Sequence, residues 1–329
     1  MMWAIRLLVM MIRPPVALVL LLFAAIGLAV AGEGDGLHPL LTTVLLIVGG
    51  WFIHGTALND VADEAIDRVN LTNARGRPLV SGDATRRQLL ILGLGAGASA
   101  LVVAWMVNWR VGTVVAAGLA LNVAYSFRPL RLSDRGLLAV LLLPLGYVVL
   151  PFLVGVFTVQ STLGSNGFVI LVGLYITFMG RIVLKDFRDE VGDRLFGKRT
   201  FLIRRGRADT CLFSAACWIA GSAALIAIVP LRSVVIGVFL AYLGCVLHGL
   251  YLLARADGHT AEQVVIGAIA QASRGMGISL LIHLTMSGKG WPMGDQVLIH
   301  LSVAAAFVLM YLETAAQRET VDAAVVRPF

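Results

Sequence analysis

The sequence predicts an all-α membrane protein, and three observations lead there. Hydrophobic residues make up 59% of the 329 positions and charged residues only 14%, with a mean hydropathy of +0.89. A soluble chain of this length needs far more polar surface to cover its core. The apolar residues are gathered into stretches near the roughly 20 residues of a helical bilayer crossing. The basic residues, finally, fall almost entirely on alternate connections between those stretches. The net charge of +7 therefore reads as membrane topology, and no nucleic-acid partner is expected.

Apolar spans fall at 15–31, 38–58, 88–107, 111–126, 136–158, 167–184, 211–229, 233–254, 262–284 and 296–312, the fourth of them short. Residues 59–87 and 185–210 form two long polar loops, and 127–135 a shorter one. With alternating spans, 19 Lys and Arg lie on the N-terminal side, against Arg110, Arg232 and Lys289 on the other. Both long loops are therefore expected in the cytoplasm, from a multi-pass protein of the cell membrane. No linker separates soluble domains, so residues 1–329 read as a single polytopic membrane domain. An Asp-rich loop follows span two and another follows span six, which hints at two four-helix halves. Arg6 and Arg13 precede an apolar run, but Pro14-Pro15 and the lack of an Ala-x-Ala cleavage site argue against a removed signal peptide. Cys211, Cys217 and Cys245 form no Cys-x-x-Cys pair and read as small core residues.

Two carboxylate clusters carry the chemistry. Asn59, Asp63 and Asp67 follow the second span at i, i+4, i+8, along one helical face. Asp186, Asp189 and Asp193 follow the sixth at i, i+3, i+7, again on one face. Carboxylates stacked this way repel unless cations neutralise them. On that reasoning Asp63→Ala or Asp189→Ala should relieve strain in the metal-free protein. Oxygen ligands without nearby His or Cys suit Mg²⁺, which keeps waters and shares substrate phosphates. Two clusters facing each other would hold a Mg²⁺-bound diphosphate, with Arg75, Arg77, Arg128, Lys185 and Lys198 available to its oxygens.

Smaller features complete the site list. Arg181 lies inside the sixth span, one turn before Lys185, where an ionisable group suggests substrate contact. Arg274 lies in the middle of the ninth span, where pairing with an acid on a neighbouring helix and a functional role both stand open. His54, one turn above the first cluster, reads as packed and hydrogen-bonded rather than as a base. Residues 77–82, Arg-Pro-Leu-Val-Ser-Gly, have turn chemistry before a new helix. Tyr125 and Ser126 end the fourth span. Pro129 disfavours helix at Arg128, so this guanidinium is expected to project toward a phosphate.

These residues resemble the UbiA superfamily of intramembrane prenyltransferases. Asn59, Asp63, Asp67 and Asn70, followed by Arg77, Pro78, Leu79, Ser81 and Gly82, match the first signature of that family. Lys185, Asp186, Asp189, Gly192, Asp193, Gly197 and Thr200 match the second. Residues 125–132 are similar to a Tyr-Ser-x-Pro-Pro-Leu loop of chlorophyll synthases and homogentisate prenyltransferases, with Arg128 in place of the first proline. Residues 180–186 look like a Gly-Arg-Glu-Ile-Ile-Lys-Asp run of archaeal lipid-forming members. The likeness covers about residues 13–285. It implies about nine transmembrane helices (ten with the span at 296–312) around a central cavity, under a cytoplasmic cap. It also implies Mg²⁺-dependent transfer of a prenyl group from a prenyl diphosphate to an aromatic or lipid-like acceptor. Asp63, Asp67, Asp186 and Asp189 would act in catalysis. Asn59, Asp63, Asp67, Asp186, Asp189 and Asp193 would hold metal, and Asn59, Arg77, Tyr125, Arg128, Arg181, Lys185 and Lys198 would bind substrate. The alternatives are a terpene cyclase on the same scaffold, or a transporter or membrane scaffold using its acidic loops for cation binding.

Overall fold

The computed structural model describes residues 2–32, 37–70, 77–229, 233–256 and 258–325. Among them there is no β-strand. The chain packs as two compact units, Met1–Leu163 with Val191–Thr200, and Gly164–Glu190 with Phe201–Phe329.

The first unit contains α1 (Met2–Met11), α2 (Pro14–Val30), α3 (Leu37–Ala62), α4 (Glu64–Asn70), α5 (Pro78–Ser81), α6 (Arg86–Val107), α7 (Trp109–Ser126), α8 (Leu137–Pro144) and α9 (Leu150–Val159). A π-helical turn, Leu145–Val149, joins α8 to α9, so the fifth expected span is one continuous crossing, Leu137–Val159. α3 packs on α6 and α7, and α2 on α9. Their contact is a dry core of Leu20, Ala24, Val44, Ile47, Val48, Trp51, Val111, Val115, Leu150 and Val154. Helices in lipid gain no hydrophobic drive from touching, so close approach through small residues supplies the packing. At the α2–α9 crossing a Cβ on Gly27 would collide with the Phe152 carbonyl oxygen, and one on Gly155 with that of Ala24.

The second unit contains α10 (Ser165–Ile182), α11 (Lys185–Leu195), α12 (Phe201–Ala227), α13 (Val234–Ala254), α14 (His259–Gly288) and α15 (Met293–Val325). Only residues 185–190 of α11 belong to it; the last turns belong to the first unit. α10 packs on α12, α12 on α13, and α14 on both α13 and α15. α12 breaks at Gly206, whose φ of 81° suits glycine alone.

Eight helices among the described residues are long and apolar enough to cross a membrane, and up to nine if the bent pair Ile5–Met11 and Pro14–Val30 is one span. This is a multi-pass membrane protein. The span expected at 111–126 is a helix, α7, but Arg110 and Asn122 lower its hydropathy and it falls outside that set. The expected tenth span is present within Met293–Gln317. Cys211, Cys217 and Cys245 are free thiols, two of them buried.

The glycine crossing gives the first prediction. Gly155→Val should lower the melting temperature of the detergent-purified protein, at an overpacking cost of about 1–3 kcal/mol. Gly49→Ala, where a Cβ meets nothing within 4 Å, should leave it unchanged or slightly raised, since alanine is the better helix former. Equal melting temperatures for both variants would show that the α2–α9 approach does not hold the unit together.

Candidate functional site: a carboxylate–guanidinium network

The first cluster starts on α3 and crosses a bend at Asp63 into α4. The helical ladder carries on through the bend: Asp63 N–H donates to the Asn59 carbonyl and Asp67 N–H to the Asp63 carbonyl, both at 2.8 Å. Asn59, Asp63 and Asp67 therefore keep the common face that their spacing predicts. Asn59 Nδ2 donates to Asp63 Oδ2 at 2.9 Å. Asp60, Asp63 and Asp67 are all buried.

The carboxylates do not stand repelling one another, because each is bound by a cation. Arg13 and Arg77 both reach Asp60. Arg77 also lies 3.1 Å from Asp67. Arg131 Nη2 donates to Asp63 Oδ1 at 3.1 Å, and Lys198 Nζ to Asp63 Oδ2 at 3.3 Å. Lys198 is also 3.7 Å from Asp193. Four buried carboxylates thus meet four cations within the first unit. This corrects the expectation of strain relief. Asp63→Ala would remove the acid that Arg131 and Lys198 share, leaving Arg131 to Asp134 and Lys198 to Asp193, so it should destabilise rather than stabilise the metal-free protein.

Two of these arginines sit in unusual backbone. Arg13, at the 72° bend between α1 and α2, has φ 45°, and Arg131 has φ 35°. Among the described residues they are the only non-glycine positions with positive φ. Such a conformation costs about 1–2 kcal/mol. Both pair with the first cluster, so the ion pairs offset local strain. Arg128 is exposed and makes no described contact; the guanidinium of this loop that reaches the carboxylates is that of Arg131. Sequence spacing pointed to the residue before Pro129, and nothing in the pattern distinguished the turn geometry at Arg131. In the sequence Arg13 likewise carries only the pattern of a topology charge.

The structure joins the end of the second motif to the first. Besides the Lys198 link, Gly192 N–H donates to Asn70 Oδ1 at 2.6 Å. A Cβ on Gly192 would overlap the Asn70 amide, which explains glycine at that position. Arg77 opens the short α5, closed by Gly82 with φ 79°. α6 then begins with a capping box between Thr85 and Gln88. On the outer face of α4, Glu64 accepts from Arg68 and Arg86, and these two partners, Arg68 foremost, hold its carboxyl below the usual range. Tyr125 is half-buried in the last turn of α7. Arg75 lies outside the described residues.

In the second unit Asp186 is 3% exposed and accepts the backbone N–H groups of Leu202 and Phe201, capping α12. Burial pushes its pKa up, against the pull of Lys185 and of those N–H groups. Asp189 is gripped through both oxygens by Arg188, at 2.8 and 3.1 Å. Phe187 is buried under the Arg207 guanidinium, 5.3 Å from its ring. Arg207 in turn donates to the carbonyls of Leu253 and Ala256 and to Glu262. Arg181 is half-buried at the end of α10, 6.0 Å from the Phe178 ring. Arg274 donates to Gln271 at 3.1 Å on its own helix, an amide rather than an acid. His54, in the first unit, is a packed histidine as expected. It is 5% exposed, 3.2 Å from the Asn122 side chain, and backed by Gly97.

Apolar helices that end in paired carboxylate motifs define a class, that of polytopic membrane proteins with an acidic, cation-lined site at the helix ends. The chain belongs to the UbiA prenyltransferase family, whose profile matches residues 20–266. It is 29% identical over 211 residues to the homogentisate phytyltransferase of Synechocystis sp., covering 59% of this chain and 67% of that protein. It is 33% identical over 153 residues to the bacteriochlorophyll synthase 33 kDa chain of Cereibacter sphaeroides, covering 46% of this chain and 49% of that one. Its fold is shared by a UbiA homolog from Archaeoglobus fulgidus bound to DMAPP and Mg²⁺, at a TM-score of 0.57 and 15% identity over 94% of this chain and 99% of that one.

The Arg131 geometry is testable by paired substitution. Arg131→Gly suits the left-handed backbone but removes the guanidinium; Arg131→Ala removes it and keeps the strain. Both should lower turnover at least about tenfold, with Arg131→Gly the more heat-stable, whereas Arg128→Lys should turn over like the wild type. A loss of activity in Arg128→Lys with none in Arg131→Gly would reverse the assignment.

Proposed function

We propose that this chain is a Mg²⁺-dependent intramembrane prenyltransferase, acting as one polytopic domain of the cell membrane with both motif loops on the cytoplasmic side. The observation that carries the reading is the bonded union of the two motifs in the first unit, Lys198 on Asp63 and Gly192 on Asn70. A structural role alone does not require six motif positions to supply oxygen ligands.

The donor set fits a hard cation. In the first unit Asn59, Asp63, Asp67 and Asp193 offer only carboxylate and amide oxygens, and taken by themselves Asp186 and Asp189 of the second unit do so too. Yet among the described residues no three acidic, His or Cys groups converge tightly enough to hold an ion unaided. Mg²⁺ commonly takes one or two carboxylates and completes its shell with substrate phosphates and water. Metal and diphosphate are therefore expected to bind together, as the existing ion pairs loosen.

When bound, Mg²⁺ neutralises the leaving diphosphate. The protein's own groups do the rest. Arg77, Arg131 and Lys198, already within 3.3 Å of carboxylates, can move to phosphate oxygens as negative charge grows there. Apolar helices exclude water from the allylic carbon. The bond from C1 to the diphosphate oxygen breaks, both electrons leaving with diphosphate. A nucleophilic carbon or oxygen of the acceptor bonds to C1 and then releases its proton to solvent. The named relatives favour transfer to an acceptor over internal cyclisation.

The purified protein, given geranyl, farnesyl or geranylgeranyl diphosphate with an aromatic or lipid acceptor, should release diphosphate and a prenylated product. EDTA should abolish this and Mg²⁺ or Mn²⁺ restore it. Asp67→Asn should lose at least about 100-fold in turnover while remaining helical in detergent. Full turnover in EDTA would exclude the metal-dependent reading, and a cyclic hydrocarbon formed without acceptor would replace transfer by cyclisation.

A further inference from the structure

Two histidines of the second unit meet inside the α14–α15 hairpin, in a stretch that the proposed chemistry does not use. His283 lies five residues before the end of α14 (His259–Gly288), and His300 seven residues after the start of α15 (Met293–Val325). Both therefore stand about 8–10 Å from the hairpin connection, at matching depth on two helices that pack together. Their ring centroids are 6.1 Å apart, edge to face. His300 is fully buried and His283 nearly so. Nδ1 of His300 lies 2.7 Å from the Gln296 carbonyl oxygen. A carbonyl only accepts, so Nδ1 carries the proton and Nε2 of the neutral ring keeps its lone pair. That nitrogen is buried and finds no hydrogen-bond partner among the described residues. Aromatic packing accounts for the distance between the rings, but it leaves the buried acceptor unsatisfied.

We propose that His283 and His300 bind a soft monovalent metal ion, Cu⁺, between α14 and α15. With metal–nitrogen bonds of about 2 Å, an ion held between opposed imidazoles sets the ring centroids roughly 6 Å apart, which is the separation found. His300 has the arrangement of a ligand, its other nitrogen fixed by a backbone carbonyl. His283 Nδ1 lies 3.4 Å from the Ser287 hydroxyl, which can accept from it and so free Nε2 of that ring as well. Met286, three residues after His283 on the same side of α14 and itself buried, offers a thioether as a further soft donor. These donors are all neutral, and the neighbouring acid, Asp295, is exposed in the first turn of α15. A divalent ion would keep its whole charge in the apolar hairpin, whereas Cu⁺ carries half of it. Two donors suffice for Cu⁺, where Mg²⁺ or Zn²⁺ needs more. Both histidines lie beyond residues 20–266, which the family profile matches, so this site stands or falls independently of the transferase reading.

The test uses the full chain in detergent, stripped of metal and kept anaerobic under a reductant. Cu⁺, and Ag⁺ as its redox-inert stand-in, should raise the melting temperature by several degrees, and Zn²⁺ and Mg²⁺ should not. Cys211, Cys217 and Cys245 are free thiols and stay in every variant, so the histidines are read by difference. His283→Gln and His300→Gln should each hold one Cu⁺ fewer per chain by elemental mass spectrometry, and each should lose the shift. X-ray absorption of the copper-loaded wild type should show nitrogen at about 2 Å, and this shell should weaken in both variants. Without metal, the variants should melt within a few degrees of the wild type. The proposal is overturned if no metal shifts the wild type, or if Zn²⁺ shifts it and Cu⁺ does not. It is also overturned if Cu⁺ shifts both variants as it shifts the wild type, which would assign the ion to the thiols. Failure of both metal-free variants to fold would overturn it too, because the rings would then be core packing.

Discussion

A buried carboxylate at the end of a membrane helix cannot stay ionised alone, and the first unit is arranged around that constraint. Asp60, Asp63, Asp67 and Asp193 are bound by Arg13, Arg77, Arg131 and Lys198, drawn from four separate stretches of the chain. These pairs fix the bend between α1 and α2, the short α5, the loop after α7 and the end of the second motif. Two of the four cations sit on strained left-handed backbone. Strain of that kind persists where surrounding structure over-determines it, and here the carboxylates do so.

The same pairing governs how the site works. Carboxylates already satisfied by guanidinium and ammonium groups have little reason to hold a divalent ion by themselves. A diphosphate changes the balance, because it brings its own negative charge for the arginines and oxygens for the metal. On the proposed reading the site is poised for its complete substrate, with weak affinity for either part alone. Two cations shared by Asp63, rather than one, leave that carboxylate neutralised even while one of them moves.

Much of this was legible in the sequence. The apolar stretches gave the helices in order, since a crossing needs length and hydropathy that chance runs lack. Spacing placed Asn59, Asp63 and Asp67 on one face, and the unbroken ladder through Asp63 preserves it. The rest depended on contacts between distant segments. Arg13 lies 47 residues before its partner Asp60, and Arg131 lies 68 residues beyond Asp63, so neither pairing leaves a local pattern. Repulsion within the cluster followed from counting acids without their cations. Asp186 carries the spacing of a ligand, yet it also caps α12, whose start lies beyond the intervening loop. α7 is a short apolar stretch in the sequence, and Arg110 and Asn122 weaken it further as a crossing; Asn108, just before it, caps it by accepting the N–H groups of Arg110 and Val111.

The measurement closest to the central claim is a titration of the purified protein with Mn²⁺, followed by electron paramagnetic resonance, with and without inorganic diphosphate. Mn²⁺ alone should bind weakly, because the carboxylates are occupied by Arg77, Arg131 and Lys198. Adding diphosphate should produce tight, mutually dependent binding of metal and diphosphate, and Asp63→Asn should abolish it. Tight Mn²⁺ binding to the ligand-free protein, indifferent to diphosphate, would contradict the account, as would the absence of binding when both are present.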